Sequence, residues 1–214
     1  MPAKEAEPAA QPLVFVVDDD ASLREGTGRL IRSAGLQVKL LGTASEFLLQ
    51  DIPDGPCCLV LDVQLPGLSG LDFQAELAAA HIQIPIIFIT GHGDIPTSVK
   101  AMKAGAIEFL TKPFRDDDLL ASIQVGLEHD RKRYEAQKSV SALRAKFDSL
   151  TQREQEVMGC VTAGMLNKQI AAQFGITEHT VKAHRGNVTR KMGVRSVADL
   201  TRMADMLELR SRQS

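Results

Sequence analysis

Leu13-Val14-Phe15-Val16-Val17-Asp18-Asp19-Asp20 is an apolar run that breaks off in three carboxylates. The run has the length of a strand, and the absence of polar alternation predicts one covered on both faces. Cys57-Cys58-Leu59-Val60-Leu61 repeats the pattern and again ends in a carboxylate, Asp62. Residues 84–89 form a third such run, closed by Thr90, and residues 107–110 a shorter one ahead of Lys112. Residues 37–41 add another strand between the first two. The stretches between them carry helical periodicity. Leu23, Leu30 and Ile31 mark a helix that stops near Gly35, and Thr43 caps 44–50 with Glu46 completing a capping box. Further helices are expected over 71–80, over 96–104 with Gly105 closing the last turn, and from Asp116 onward.

Five apolar strands alternating with five helices predict an α/β domain: a doubly wound, parallel five-stranded sheet of flavodoxin-like topology. In such sheets the site lies beyond the carboxyl ends of the strands. Asp18, Asp19, Asp62, Thr90 and Lys112 all stand there. Adjacent carboxylates are costly without a counter-charge, and a hard cation with oxygen ligands, Mg²⁺, neutralises them well. One oxygen of Asp62 can then hold metal while the other attacks phosphorus. Thr90 and Lys112 are placed to meet the phosphoryl oxygens.

Composition divides the chain in two. Of 214 residues 44% are hydrophobic and 24% charged, which excludes a disordered or fibrous chain. The net charge of −2 conceals −8 over residues 1–126 and +6 over residues 127–214. An acidic half joined to a basic half suggests two tasks, the second involving nucleic acid. Residues 1–12 read as a disordered tail, since they lack the basic start and apolar run of a signal peptide. No apolar run approaches the ~20 residues of a membrane span, and a cytoplasmic protein with no membrane role is expected. Cys57, Cys58 and Cys160 lack metal-ligand spacing and read as reduced, buried thiols.

From Asp116 to Phe147 there is no proline, and the only glycine is Gly126. Leu120, Ile123 and Leu127 are spaced at 3 and 4, as are Val140, Leu143, Phe147 and Leu150. The polar seam between these two groups favours a long linker helix over a coiled coil. Beyond it come short helices. Thr151 caps 152–163, with Glu154 completing a capping box. Helices over 167–174, 178–192 and about 197–209 follow, the second and third forming a helix-turn-helix.

On the third of these helices Val181, Val188 and Met192 share the core side. The opposite side carries His179, Lys182, Ala183, Gly186, Asn187 and Arg190. Small residues let such a helix enter the major groove, where Lys182, Asn187 and Arg190 can donate to bases or phosphates. Thr177, Thr180, His184, Lys191 and, from the preceding helix, Lys168 suit backbone contacts. Arg185 leans towards the core and is expected to pair with Glu154.

Asp18-Asp19, Asp62-Val63-Gln64-Leu65-Pro66-Gly67-Leu68-Ser69-Gly70, Thr90-Gly91 and Lys112-Pro113-Phe114 resemble, in order, the motifs of a two-component receiver domain. Leu150-Thr151-x-Arg153-Glu154, Asn167-Lys168-x-Ile170-Ala171, Thr180-Val181-Lys182-x-His184-Arg185 and Lys191-Met192 resemble a LuxR-type helix-turn-helix. The whole is thus similar to response regulators of the FixJ/NarL family. The resemblance implies that Asp62 accepts a phosphoryl group from a sensor histidine kinase. It implies that Asp18, Asp19, Asp62 and the Gln64 carbonyl hold Mg²⁺, and that Phe109 is a switch aromatic. Promoter DNA is the implied target of the output domain, with homodimerisation on phosphorylation and contact with RNA polymerase as further implied partnerships. The organisation expected is a tail over 1–12, a receiver over 13–127, a linker helix over 128–149 and a DNA-binding domain over 150–214. No enzymatic activity is expected. Two other classes compete: a helical domain that binds protein rather than DNA, and a phosphohydrolase with Asp18 as nucleophile.

Overall fold

A computed structural model of the chain describes residues 11–91 and 95–207. Residues 1–10 of the tail expected over 1–12, the run His92-Gly93-Asp94 and the end of the last helix lie outside the described residues.

The strands are β1 (Leu13–Val17), β2 (Gln37–Leu41), β3 (Cys57–Asp62), β4 (Ile86–Thr90) and β5 (Glu108–Thr111). They form one parallel sheet in the order β2-β1-β3-β4-β5, the doubly wound arrangement expected. Alternate residues serve opposite faces. Phe15, Leu59, Leu61 and Phe88 meet Phe47 of α2 (Ala44–Leu48), Phe73 and Leu77 of α3 (Gly70–Ala79) and Ala101 of α4 (Ile95–Lys103). Val14, Val16, Cys58, Val60, Ile87 and Ile89 meet Ile31 of α1 (Ala21–Ser33) and Leu119, Ile123 and Leu127 of α5 (Asp116–Asp148). Both faces of the central strands are therefore dry, which is why their sequences show no polar alternation.

Helix α5 runs 33 residues without a break. Its sheet-facing stripe contains the fully buried Leu119, where Leu120 was expected. Spacing of 4 and 4 from Leu119 through Ile123 to Leu127 keeps one face over the sheet, whereas Leu120 lies about 100° further round. Gly126 belongs to this contact, because a Cβ there would sit 3.3 Å from the Cβ of Cys58. The helix thus approaches β3 closely enough that a side chain there would require Cys58 to give by a few tenths of an ångström. In the later apolar group Leu143, Phe147 and Leu150 are in or against the second core, but Val140 is 39% exposed, a correction to the expected seam.

The chain separates into two compact units, the first ending at Tyr134 and the second starting at Glu135. This division falls inside the segment 128–149 expected as linker. The second unit contains the end of α5 with α6 (Gln152–Thr162), α7 (Asn167–Phe174), α8 (Glu178–Met192) and α9 (Val197–Met206). Its core gathers Leu143, Val157, Met158, Ile170, Val181, Val188, Met192 and Leu200. The Thr151 capping box forms as expected: Thr151 Oγ1 accepts the Glu154 amide, and Glu154 accepts the Thr151 amide. The one at Thr43 forms by half, since Glu46 accepts from Gly42 N–H instead. Among the described residues no helix is long and apolar enough to cross a membrane.

Candidate phospho-acceptor pocket and nucleic-acid interface

Parallel strands that end in register bring their last residues to one edge. Asp62 stands opposite Ile89 in the β3–β4 pairing, and Thr90 opposite Thr111 in β4–β5. Asp18 follows β1 directly, its amide donating to Leu41 O. Asp18 and Thr90 are wholly buried, and Asp62 is nearly so. Lys112, whose amide donates to Thr90 O, extends its Nζ to Asp62 Oδ2 at 2.6 Å and Asp18 Oδ2 at 2.8 Å. One ammonium is therefore shared by two carboxylates. Burial lowers the pKa of Lys112, but its bonds to Asp18 and Asp62 outweigh that and leave it raised.

The remaining carboxylate oxygens are held by the backbone. Asp62 Oδ1 accepts the Gln64 amide at 2.8 Å, and Asp18 Oδ1 accepts the Asp20 amide at 2.9 Å. Asp20 caps α1, accepting from the amides of Ser22 and Leu23, so the third acid of the opening run serves the helix. Arg24, unremarked in the sequence, donates to the Asp18 carbonyl and steadies the β1–α1 turn. Gly70 lets α3 begin close to β3, since a Cβ there would lie 2.5 Å from the Asp62 carbonyl. One oxygen each from Asp18, Asp19 and Asp62 lies within 4.8 Å of the others. Three oxygen donors so grouped suit a small, hard divalent cation. Phe109 is half-buried on β5, its ring centroid 6.3 Å from that of Phe88.

In the second unit Val181, Val188 and Met192 of α8 are buried as their phase required. His179, Lys182, Ala183, Gly186 and Arg190 are exposed, and Thr180, His184 and Asn187 are half-buried. A Cβ at Gly186 would meet nothing within 4 Å, so this side of the helix is open. Lys168 on α7 is exposed as well. Thr177 caps α8, its Oγ1 accepting the Thr180 amide and lying 2.9 Å from the Thr180 hydroxyl. Arg190 donates to Asn187 Oδ1 at 2.9 Å.

Two expectations change here. Lys191, expected at the DNA backbone, is engaged internally: its Nζ lies 2.6 Å from Glu154 Oε2 and donates to Ser149 O at 3.3 Å. Arg185, expected to pair with Glu154, donates to Asn167 Oδ1. Lys191, in the last turn of α8, takes the acid, while Arg185 reaches the start of α7. The bond from Lys191 and the cap amide of Thr151 hold the pKa of Glu154 down at about 2.

Residues 14–124 match the response regulator receiver domain, and residues 148–204 match the bacterial regulatory proteins of the luxR family. Nodulation protein W of Bradyrhizobium diazoefficiens is 55% identical over 201 residues, covering 94% of this chain and 88% of that relative. Response regulator protein TmoT of Ectopseudomonas mendocina is 48% identical over 199 residues, covering 92% and 90%. The solved structure of response regulator StyR superposes with a TM-score of 0.82 at 50% identity, covering 92% of this chain and 99% of that one. The receiver match removes the phosphohydrolase reading of Asp18. The chain belongs to the two-component response regulators that join a receiver to a LuxR-type DNA-binding domain, and it is a phosphorylated regulator of transcription.

Proposed function

We propose that Asp62 is the phospho-acceptor and that its modification controls DNA binding by α8. The observation that carries this is the pocket: an almost wholly buried carboxylate at a strand end, a lysine shared with Asp18, and Asp19 alongside. A carboxylate oxygen of Asp62 attacks the phosphorus of a phosphohistidine on a sensor kinase. The new P–O bond forms as the P–N bond breaks, and the imidazole nitrogen keeps the electron pair. Lys112 then shifts its ammonium towards the phosphoryl oxygens, and the Thr90 hydroxyl donates to one of them. Asp18, Asp19, Asp62 and the Gln64 carbonyl would hold Mg²⁺, which when bound withdraws negative charge from those oxygens.

Movement of Thr90 leaves space that Phe109 fills, and the α4–β5 face repacks. That face then dimerises or frees the output domain, so that two copies of α8 meet paired half-sites. Lys182, Ala183 and Gly186 face the bases, with Asn187 and Arg190 donating to bases or phosphates. Thr177, His179, Thr180, His184 and Lys168 line the backbone. The receiver so defined spans 13–127, the linker 128–149 and the DNA-binding domain 150–214. The protein acts in the cytoplasm as a regulator rather than an enzyme, with promoter DNA, a second copy and RNA polymerase as partners. Acetyl-phosphate labelling with peptide mapping tests the acceptor. Label confined to the peptide bearing Asp62 and lost in Asp62→Asn is expected, and undiminished label in that variant contradicts the assignment.

A further inference from the structure

Asp130 is an ionisable side chain buried to 1% exposure, and the phosphoryl chemistry does not use it. It lies on α5 beyond Leu127, the last apolar residue of the sheet-facing stripe. Its Oδ2 accepts the amide of Cys57 at 2.8 Å, and its Oδ1 accepts Arg133 Nε at 2.7 Å. A carboxylate this deep costs several kcal/mol unless paired and hydrogen-bonded. Here both oxygens are matched.

The pairing has a cause in the sheet. Successive amides of a strand point to alternate neighbours, and Leu59 N–H donates to Pro85 O on the β4 side. Cys57 N–H points the same way two residues earlier, before the β3–β4 register begins at Leu59 and Ile86. It has no strand to meet there, and Asp130 supplies the acceptor. The neighbouring thiols are not the functional groups. Burial, and then the charge of Asp130, push the Cys57 thiol up to about 11, and burial pushes Cys58 up as well.

We infer that Asp130 is a positioning residue that pins α5 to the start of β3, so that the state of Asp62 at the other end of that strand reaches the helix. This rests on Asp62 being the phospho-acceptor. The apolar stripe through Leu119, Ile123 and Leu127 holds α5 to the sheet without direction. A charge-assisted hydrogen bond is directional and fixes the rotation and axial register of the helix. Gly126, one turn earlier, lies close against Cys58 beside this bond. The first compact unit ends at Tyr134, just past Arg133, and α5 runs on to Asp148. The bond therefore acts on α5 just before the first unit ends.

The test uses the full-length chain with acetyl phosphate and a duplex selected from a random pool by the phosphorylated wild-type protein. The wild type should gain affinity on phosphorylation, by roughly 5- to 150-fold for a coupling of this class. In Asp130→Ala the label on Asp62 should persist while the gain falls to within about twofold of none. Cys57→Pro removes the same bond from the strand side, and proline is tolerated at a first strand residue whose amide makes no ladder bond, so the same loss is expected. Asp130→Asn keeps an acceptor for the amide and should retain most of the gain. A full gain in Asp130→Ala or Cys57→Pro with Asp62 labelled overturns the inference, as does equal loss in Asp130→Asn. If both disruptive variants lose their cooperative melt while Asp130→Asn keeps it, the contact supports folding rather than coupling, and the inference also fails. Absence of label on Asp62 in the wild type strikes instead at the phospho-acceptor reading.

Discussion

Each compact unit contains a buried carboxylate held by a lysine, and the two arrangements are built to opposite ends. In the second unit Lys191 meets one acid, Glu154, whose oxygen also accepts the Thr151 amide that closes a helix cap. One cation stands there against one anion. In the first unit Lys112 is divided between Asp18 and Asp62, and Asp19 stands beside them. Three acids against one ammonium leave a surplus of negative charge in a mostly buried place, which invites a further cation. A pair balanced in charge is structural, whereas one with surplus charge is a site.

The comparison can be broken most readily at Lys191. Replacing it with Met strands the Glu154 carboxylate in the core and should cost about 3–5 kcal/mol of stability in the DNA-binding unit, whatever the Mg²⁺ concentration. Denaturant unfolding followed by circular dichroism measures this. Lys112→Ala should also destabilise its own unit, but there Mg²⁺ should restore much of the loss, because the ion replaces the missing charge. A melting temperature of Lys112→Ala that ignores Mg²⁺ would remove the distinction between the two pockets.

Lys182→Ala addresses the open face of α8. Loss of one phosphate or base contact should weaken DNA binding by about 1–3 kcal/mol if it reads a base, or lower the slope of log K against log salt by about 0.9 if it neutralises a phosphate. Phosphorylation should be untouched. The smallest effect is in pH. The pKa of Glu154 is depressed from 4.5 to about 2, so its contribution is complete above the ordinary value and is lost as pH falls towards about 2. The DNA-binding unit of the wild type should lose stability across that window, and Glu154→Gln should flatten the dependence.

Much of the molecule was legible in the sequence because its signals are local. Apolar runs ending in carboxylates gave the strands and the pocket together, and α7 and α8 span the expected residues, each closed by a left-handed glycine. What escaped was decided by packing or by choice among partners. Leu119 rather than Leu120 is the α5 residue buried against the sheet, because the sheet selects one phase of an ambiguous stripe. Glu46 reached Gly42 instead of its own cap, and Lys191 took the acid that was expected to pair with Arg185. Asp130 was the costliest omission. It follows Leu127 by three residues, and an acid continuing an apolar stripe is itself the signal of a buried partner.

The central claim is that phosphorylation of Asp62 raises the affinity of the α8 face for DNA. Its most direct test is the dissociation constant for one selected duplex, measured before and after acetyl-phosphate treatment with Mg²⁺, in wild type and in Asp62→Asn. The wild type should tighten and Asp62→Asn should stay at the untreated value. Equal tightening in both, or none in a wild-type protein shown to be labelled, would contradict the account.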